Sequence, residues 1–365
     1  MRCQRALLAA LMLAMLVGVQ PATAAPRSEN LRESSPSLLS AGLPAIRTIF
    51  LIMMENHNWS DIHGSTSAPY INSLLPLSAH AEQYFNPPGI HPSEPNYLWL
   101  EAGTNFGILN DAEPAVNHQS TTQHLTSLLT SAGVSWKTYQ ESIDGTNCPL
   151  TSGGTDGKYA ARHNPFVYFD DVTNTNSPAS ANCIAHNRPF PELATDLASN
   201  TLARYNFITP NVCDDMHDST GCATLDSIKN GDTWLSQNVP TILNSAAYRN
   251  NGALFITWDE GEGGSDGPLG MIALSPLAKQ GYANTLAYTH SSTLRTLEEF
   301  FGVTPLLGDA ANATNLSDFF QSPAPLPPRR PTGPLNPLPA LPLPPTRPSP
   351  APNVGTPNLL PPARR

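Results

Sequence analysis

The 365-residue chain predicts an α/β fold, a mostly parallel central sheet with helices on both faces. Three observations carry this expectation. Short, largely apolar runs at 49–54, 205–209, 253–258 and 271–274 suit strands covered on both faces. Segments with apolar residues at helical spacing lie between them. Polar clusters rich in carboxylates directly follow several of these runs, at the strand ends where open α/β sheets bind ligands.

The elements follow in order along the chain. Thr48 leads into the first strand, Ile49 to Met54, and Pro69 is placed to open a short helix carrying Ile71, Leu74 and Leu75. A helix is expected from Glu94 to Gly103, with Ser93 just ahead of it. Ser120 to Ala132 has Leu125, Leu128, Leu129 and Ala132 at helical spacing and closes at Gly133, before a strand from Val134 to Tyr139. Asp144 to Asn187 is irregular and rich in Gly, Asn and Thr. It reads either as a substrate-facing insert or as a surface loop pinned by a disulfide. Pro191 opens a helix with Leu193 and Leu197, and Tyr205 to Thr209 is a strand. Ile228 to Leu243 is mostly helical with a bend at Pro240. Ala253 to Trp258 and Met271 to Leu274 are strands, and the last helix runs from Ser291 to Phe301 and ends at Gly302.

The two ends differ from this core. Arg2 and Arg5, an apolar stretch from Ala6 to Val19 and Ala22-Thr23-Ala24 have the layout of a secretory signal over residues 1–24. The expected destination is the periplasm, the cell envelope or the medium. Cys148, Cys183, Cys213 and Cys222 remain after its removal, and in an oxidising compartment they suit two disulfides. Three pairings are open; the preferred one joins Cys213 to Cys222 and Cys148 to Cys183. Residues 322–365 form a tail in which about two residues in five are proline and every charge is arginine, which suits an extended spacer rather than a core. Envelope contact through its arginines is the tail's candidate role. Residues 25–321 are left for one catalytic domain. It is more acidic than the net charge of −10 suggests, and no nucleic-acid partner is expected.

Candidate chemistry gathers in five clusters: Glu55-Asn56-His57, His91-Pro92-Ser93-Glu94-Pro95-Asn96-Tyr97, Pro210-Asn211-Val212-Cys213-Asp214-Asp215-Met216-His217-Asp218, Asp259-Glu260-Gly261-Glu262 and Tyr288-Thr289-His290. Carboxylates collected at strand ends repel one another unless a cation sits among them. Glu55, Asp259 and Glu260 with the Asn56 side-chain oxygen form a hard-oxygen set for a divalent metal ion. His217 and His290 would make a neighbouring position friendlier to zinc or iron. Such a set around a hydroxyl suits hydrolysis of a phosphate ester, and Ser93, ahead of a helix amino terminus, is the candidate alcohol.

In this order the clusters resemble the bacterial phosphoesterase family of phospholipases C and acid phosphatases, within the alkaline phosphatase superfamily. The resemblance runs from about Arg47 to Val303 and implies a metal on Glu55, Asn56, Asp259 and Glu260. It makes Ser93 both ligand and nucleophile, forming a phosphoserine intermediate. It also puts His217 and His290 in the same site, on a second metal or on the phosphoryl oxygens and the leaving group. His91, Asn96 and Asp215 are candidates for substrate contact. Glu260 stands where better-known branches of the superfamily have a histidine, and Asp214 and Asp215 lie only three and two positions before His217. One metal is therefore the preferred arrangement, with a second open. The expected substrate is a small phosphate ester or a phospholipid head group. The competing expectation, a non-catalytic exported binding module, gives no reason for Glu55, Ser93, Asp259, Glu260 and His290 to occur together.

Overall fold

The structure, a computed structural model, describes residues 43–262 and 266–321. The signal segment, the proline-rich tail and its expected envelope contact lie outside the described residues.

The strands are β1 (Thr48–Met54), β2 (Ala79–Ala81), β3 (Tyr84–Phe85), β4 (Trp136–Gln140), β5 (Asn187–Pro189), β6 (Tyr205–Thr209), β7 (Gly252–Trp258), β8 (Met271–Leu274), β9 (Tyr282–Asn284) and β10 (Tyr288–Thr289). Eight of them form one sheet in the order β5-β4-β6-β1-β7-β8-β2-β9, and β10 pairs with β3. Every ladder of the large sheet is parallel except those that β8 makes with β7 and β2. The sheet is thus mostly parallel, as the alternation of strand and helix predicts, with β8 as its one antiparallel strand.

β1 lies between β6 and β7, and its residues Ile49 to Met54 are fully buried, as its unbroken apolar run requires. Removing one large side chain here, such as Phe50, would cost about 3–5 kcal/mol. Its register sets the site. Met54 pairs with Trp258, so Glu55 and Asp259 emerge side by side at the carboxyl ends of β1 and β7. The Asp259 N–H still donates to the Met54 carbonyl at 3.1 Å. Ile52 pairs with Ile208, which brings the segment after β6 to the same edge.

The helix expected after Ser93 spans Ser93–Ala102, with Ser93 as its first residue and Gly103 as its left-handed cap. The helices at Pro69–Leu74, Leu125–Ser131, Glu192–Ser199, Ser227–Leu243 and His290–Phe301 match the periodic segments within a few residues at each end. Pro240 lies within the fourth of these. The stretch from 144 to 187 contains short helical turns at Ala161–His163, Pro165–Tyr168, Asp170–Thr173 and Ala181–His186. Cys148 is bonded to Cys183 across it and Cys213 to Cys222, both with Cα atoms 5.4 Å apart.

Candidate active site

Glu55 is fully buried and stands at the centre of the site. The chain turns sharply after it, since Asn56 has a φ of 52°, a left-handed conformation that asparagine tolerates better than most residues. The turn aims the Asn56 N–H at Asp259 Oδ1, 3.0 Å away. From the amino-terminal turn of its helix, Ser93 donates its hydroxyl to Glu55 Oε2 at 3.2 Å. One helical turn later, Tyr97 donates its hydroxyl to Glu55 Oε1. Glu55, Asn56, Ser93 and Asp259 are therefore brought together from three elements.

The segment after β6 adds Asp215. Its carbonyl accepts the Glu55 N–H at 2.8 Å, and its Oδ1 accepts the His217 N–H at 2.8 Å. Met216 between them has a φ of 85°, a strained conformation held by its surroundings. Helix Ser227–Leu243 comes close at this point. A Cβ on Gly231 would lie 2.3 Å from the Met216 side chain, so only glycine fits without repacking.

His163 completes the buried layer. Its Nδ1 lies 3.1 Å from Asp215 Oδ2 and its Nε2 lies 3.5 Å from Glu55 Oε2 without a hydrogen-bond partner. With Nδ1–H donating to Asp215, Nε2 presents a lone pair, the arrangement in which a carboxylate orients a metal-binding imidazole. Neither His163 nor Tyr97 was given a role from the sequence. Tyr97 ended a cluster that the sequence did single out, whereas His163 sits in the irregular segment, where no spacing points to it.

The electrostatics of this layer are unfavourable. Burial, together with the charges of Asp259 and Asp215, holds the Glu55 carboxyl well above the usual range. Burial also raises Asp215 well above it, with Asp259 adding and the His217 N–H opposing, and burial raises Asp259. The His163 imidazole is pushed well below its usual value, first by burial and then by the charges of Arg162 and His217, so it offers its neighbours no positive charge. Asn56 Oδ1 and Asp259 Oδ2 are buried without partners. Three buried carboxyls with orphaned oxygens around them form a donor set that suits a hard divalent cation. Donor atoms of Glu55, His163 and His217 also lie within 4.8 Å of one another and could hold a metal ion.

Above this layer a cleft of about 330 Å3 is lined by Asn56, His91, Pro92, Ser93, Asp111, His217 and Glu260. Glu260 Oε2 meets His91 Nδ1 at 2.5 Å and accepts from Asn96 Nδ2 at 3.0 Å. Burial, followed by the charges of Asp259, Asp111 and Asp266, pushes the Glu260 carboxyl up to about 9. His91 Nε2 meets Asp266 at 2.8 Å. Asn96 is fully buried and its amide nitrogen is shared among Ile90, Pro92 and Glu260, so it positions Glu260 rather than facing the cleft. Asp215, also fully buried, positions His163 and His217.

His217 lines the cleft, with Nδ1 2.8 Å from Asp218 Oδ1 and Nε2 receiving Arg162 at 3.2 Å. His290, expected beside it, stands one layer back. Its Nε2 lies 2.6 Å from the Asp259 carbonyl and its Nδ1 lies 3.0 Å from the Tyr84 hydroxyl. Both ring nitrogens are thus occupied by the protein, and burial lowers the imidazole to about 4, so His290 acts as a neutral support for the Asp259 backbone.

This sheet, with its site at the carboxyl ends of β1, β6 and β7, defines an alkaline phosphatase-like α/β fold. The chain belongs to the phosphoesterase family, whose model matches residues 66–304, and it is a hydrolase of phosphate esters. It is 34% identical over 284 residues to the phosphatidylinositol-3-phosphatase of Mycobacterium tuberculosis, covering 78% of this chain and 86% of that relative. It is 28% identical over 295 residues to a probable acid phosphatase of Kluyveromyces lactis, covering 75% of this chain and 65% of the yeast protein. The phosphonate monoester hydrolase of Agrobacterium radiobacter shares the fold, with a TM-score of 0.50 at 11% identity over 75% of this chain and 77% of that one.

Proposed function

We propose that this protein is an exported, metal-dependent phosphoesterase that hydrolyses its substrate through a phosphoserine on Ser93. The observation that carries the reading is the Ser93 hydroxyl 3.2 Å from Glu55, beside the orphaned oxygens of Asn56 and Asp259. Glu55, Asn56, Ser93, Asp259 and Glu260 would hold one divalent cation. His163 and His217, sharing Glu55, are the residues for a second. When bound, such a cation supplies Lewis-acid stabilisation of the phosphoryl charge and lowers the pKa of the serine hydroxyl.

The residues divide the remaining work. Glu55 accepts the Ser93 hydroxyl hydrogen and so turns the oxygen lone pairs away from itself. The amino terminus of helix Ser93–Ala102 places its partial positive charge at the oxygen that bonds to phosphorus. In the first half-reaction the Ser93 oxygen bonds to phosphorus as the bond to the ester oxygen breaks. Where it holds no second cation, His217, oriented by Asp218, is placed to give the departing oxygen a proton from Nε2 once Arg162 has left that nitrogen. Water then releases inorganic phosphate and restores the serine. The two disulfides support folding in an oxidising compartment, in keeping with export.

Ser93→Ala should reduce release of p-nitrophenol from p-nitrophenyl phosphate by about 1,000-fold or more, with the melting temperature preserved. Quenched wild-type turnovers should trap phosphate covalently on the peptide containing Ser93, and elemental analysis should find a stoichiometric divalent metal. Full activity in the Ser93→Ala variant would remove the nucleophile assignment.

A further inference from the structure

Away from the catalytic cleft, helices Glu192–Ser199 and Ser227–Leu243 flank an open groove. Three cavities of about 460, 320 and 550 Å3 run into one another along it. The first two share Phe190 and Asn238, and the last two share Ala194, Leu197 and Thr241. No residue lining them lines the cleft. The wall from helix Glu192–Ser199 is apolar: Leu193 and Leu197 are buried, while Ala194 and Ala198 are exposed and too small to fill the space. Gln237, Asn238 and Thr241 stand on one stripe of the facing helix, at the spacing of its turns.

One end of the groove is acidic, where it meets Glu141 and Asp214. Glu141 accepts the Trp234 indole N–H at 3.1 Å and the Asn211 N–H at 2.9 Å, and Asp214 Oδ2 accepts from Asn211 Nδ2 at 3.0 Å. Burial pushes the Glu141 carboxyl up to about 7, with the Asn211 N–H opposing and the Asp214 charge adding, and burial raises Asp214 as well. The two carboxyls share a hydrogen bond, and among the described residues neither forms an ion pair. Lys158 acts on Asp214 only at a distance, and Asp156 works against it. Half-buried Phe190 packs on Trp234 with ring centroids 4.9 Å apart, which gives this end an aromatic surface for a cation.

We infer that this groove docks an extended peptide segment of a partner protein, with a lysine or arginine seated at Glu141 and Asp214 and small apolar residues or prolines along Leu193 and Leu197. Charge complementarity sets the first part. A cation from outside takes the place of the proton between the two carboxyls and leaves both ionised. The walls set the second part, because a peptide backbone gives Gln237 and Asn238 hydrogen-bond partners that an acyl chain would deny them. Asn238 already donates its amide nitrogen to the Trp234 carbonyl at 2.9 Å, which leaves its oxygen to accept a peptide N–H. From Trp234 to Asn244 the chain rises about 15 Å, the length of about four or five extended residues. This binding function is separate from the phosphoesterase chemistry.

Random heptapeptides displayed on phage, selected against the full-length protein and remade by synthesis, test this. The selected peptides should share a lysine or arginine beside proline, alanine or leucine. Ala194→Arg fills the groove from an exposed position, and Asp214→Asn removes a carboxylate. Each should weaken a selected peptide by about tenfold or more in calorimetry. Ala194→Arg should leave hydrolysis of p-nitrophenyl phosphate within about twofold of wild type, and it carries the test alone if Asp214→Asn does not fold. Failure to enrich any consensus, a consensus without a cation, or binding that survives Ala194→Arg would overturn the assignment. So would a dimer in sedimentation that Ala194→Arg dissolves, since the groove would then be an interface between copies of the chain. Peptide binding is read without turnover, so its failure stays distinct from a failure of Ser93 as nucleophile.

Discussion

Helix Ser93–Ala102 carries buried carboxylate chemistry at both ends, and the two ends are built in opposite ways. At its carboxyl end Glu101 is buried and its Oε1 meets His124 Nδ1 at 3.1 Å and the Thr126 N–H and hydroxyl, each at 2.7 Å. Asp171 takes the other ring nitrogen of His124 at 2.9 Å, and Phe169 stacks on the ring. Burial alone would depress the imidazole pKa, but the bonds to Asp171 and Glu101 and their charges outweigh it and raise it to about 9. At neutral pH a cation sits between two carboxylates. At the amino end, Ser93 and Tyr97 touch Glu55, the nearest imidazole is pushed to neutrality, and three carboxyls share one buried space. The first cluster carries its own counter-ion and serves the fold. The second lacks one among its side chains, in keeping with the proposal that it takes its positive charge from a bound cation.

Asp259→Asn should separate these roles most strongly. It keeps the acceptor for the Asn56 N–H but removes a proposed ligand, so activity should fall by about 100-fold or more. In chelator-treated protein the same change removes a buried charge beside Glu55, so its melting temperature should equal or exceed that of chelated wild type. A clearly lower melting temperature would mean that Asp259 serves the fold, as Glu101 does.

His124→Gln should behave in the opposite way. It leaves Glu101 buried beside Asp171 without a cation and should cost about 3 kcal/mol in chemical denaturation. Once folded, the variant should keep kcat/KM within about twofold, because His124 touches nothing in the cleft. A large loss of activity at unchanged stability would erase the contrast between the two ends.

Why part of the site at the amino end was legible in the sequence and the rest was not follows from how each residue is encoded. Glu55 and Asp259 directly follow unbroken apolar runs, so burial of β1 and β7 places them. Ser93 stands ahead of a recognisable helix. Arg162, His163 and Asp111 come from segments whose path is set by a disulfide and by packing, and no hydrophobic period leads to them. His290 was legible as polar but not as a support, because its two partners, a tyrosine hydroxyl and a backbone carbonyl, come from distant elements. The antiparallel direction of β8 escaped for a related reason, since a strand buried on both faces reads the same either way. β2, β5 and β9, at three residues each, are too short to show alternation.

The smallest effect expected is a pH dependence confined to the His124 end. His124 has its folded pKa raised, from an ordinary value of 6.5 to about 9. A group raised in the folded state stabilises fully below its unfolded pKa, and that contribution is lost as the pH climbs through the folded one. Between pH 6.5 and 9 the wild type should therefore lose stability on the order of 2 kcal/mol that the His124→Gln variant does not lose. Denaturation midpoints of the two proteins, measured with chelator present across this window, should converge as the pH rises. Parallel curves would show that His124 is neutral at pH 7 and that the carboxyl end of the helix, like the amino end, holds its carboxylates without an internal cation.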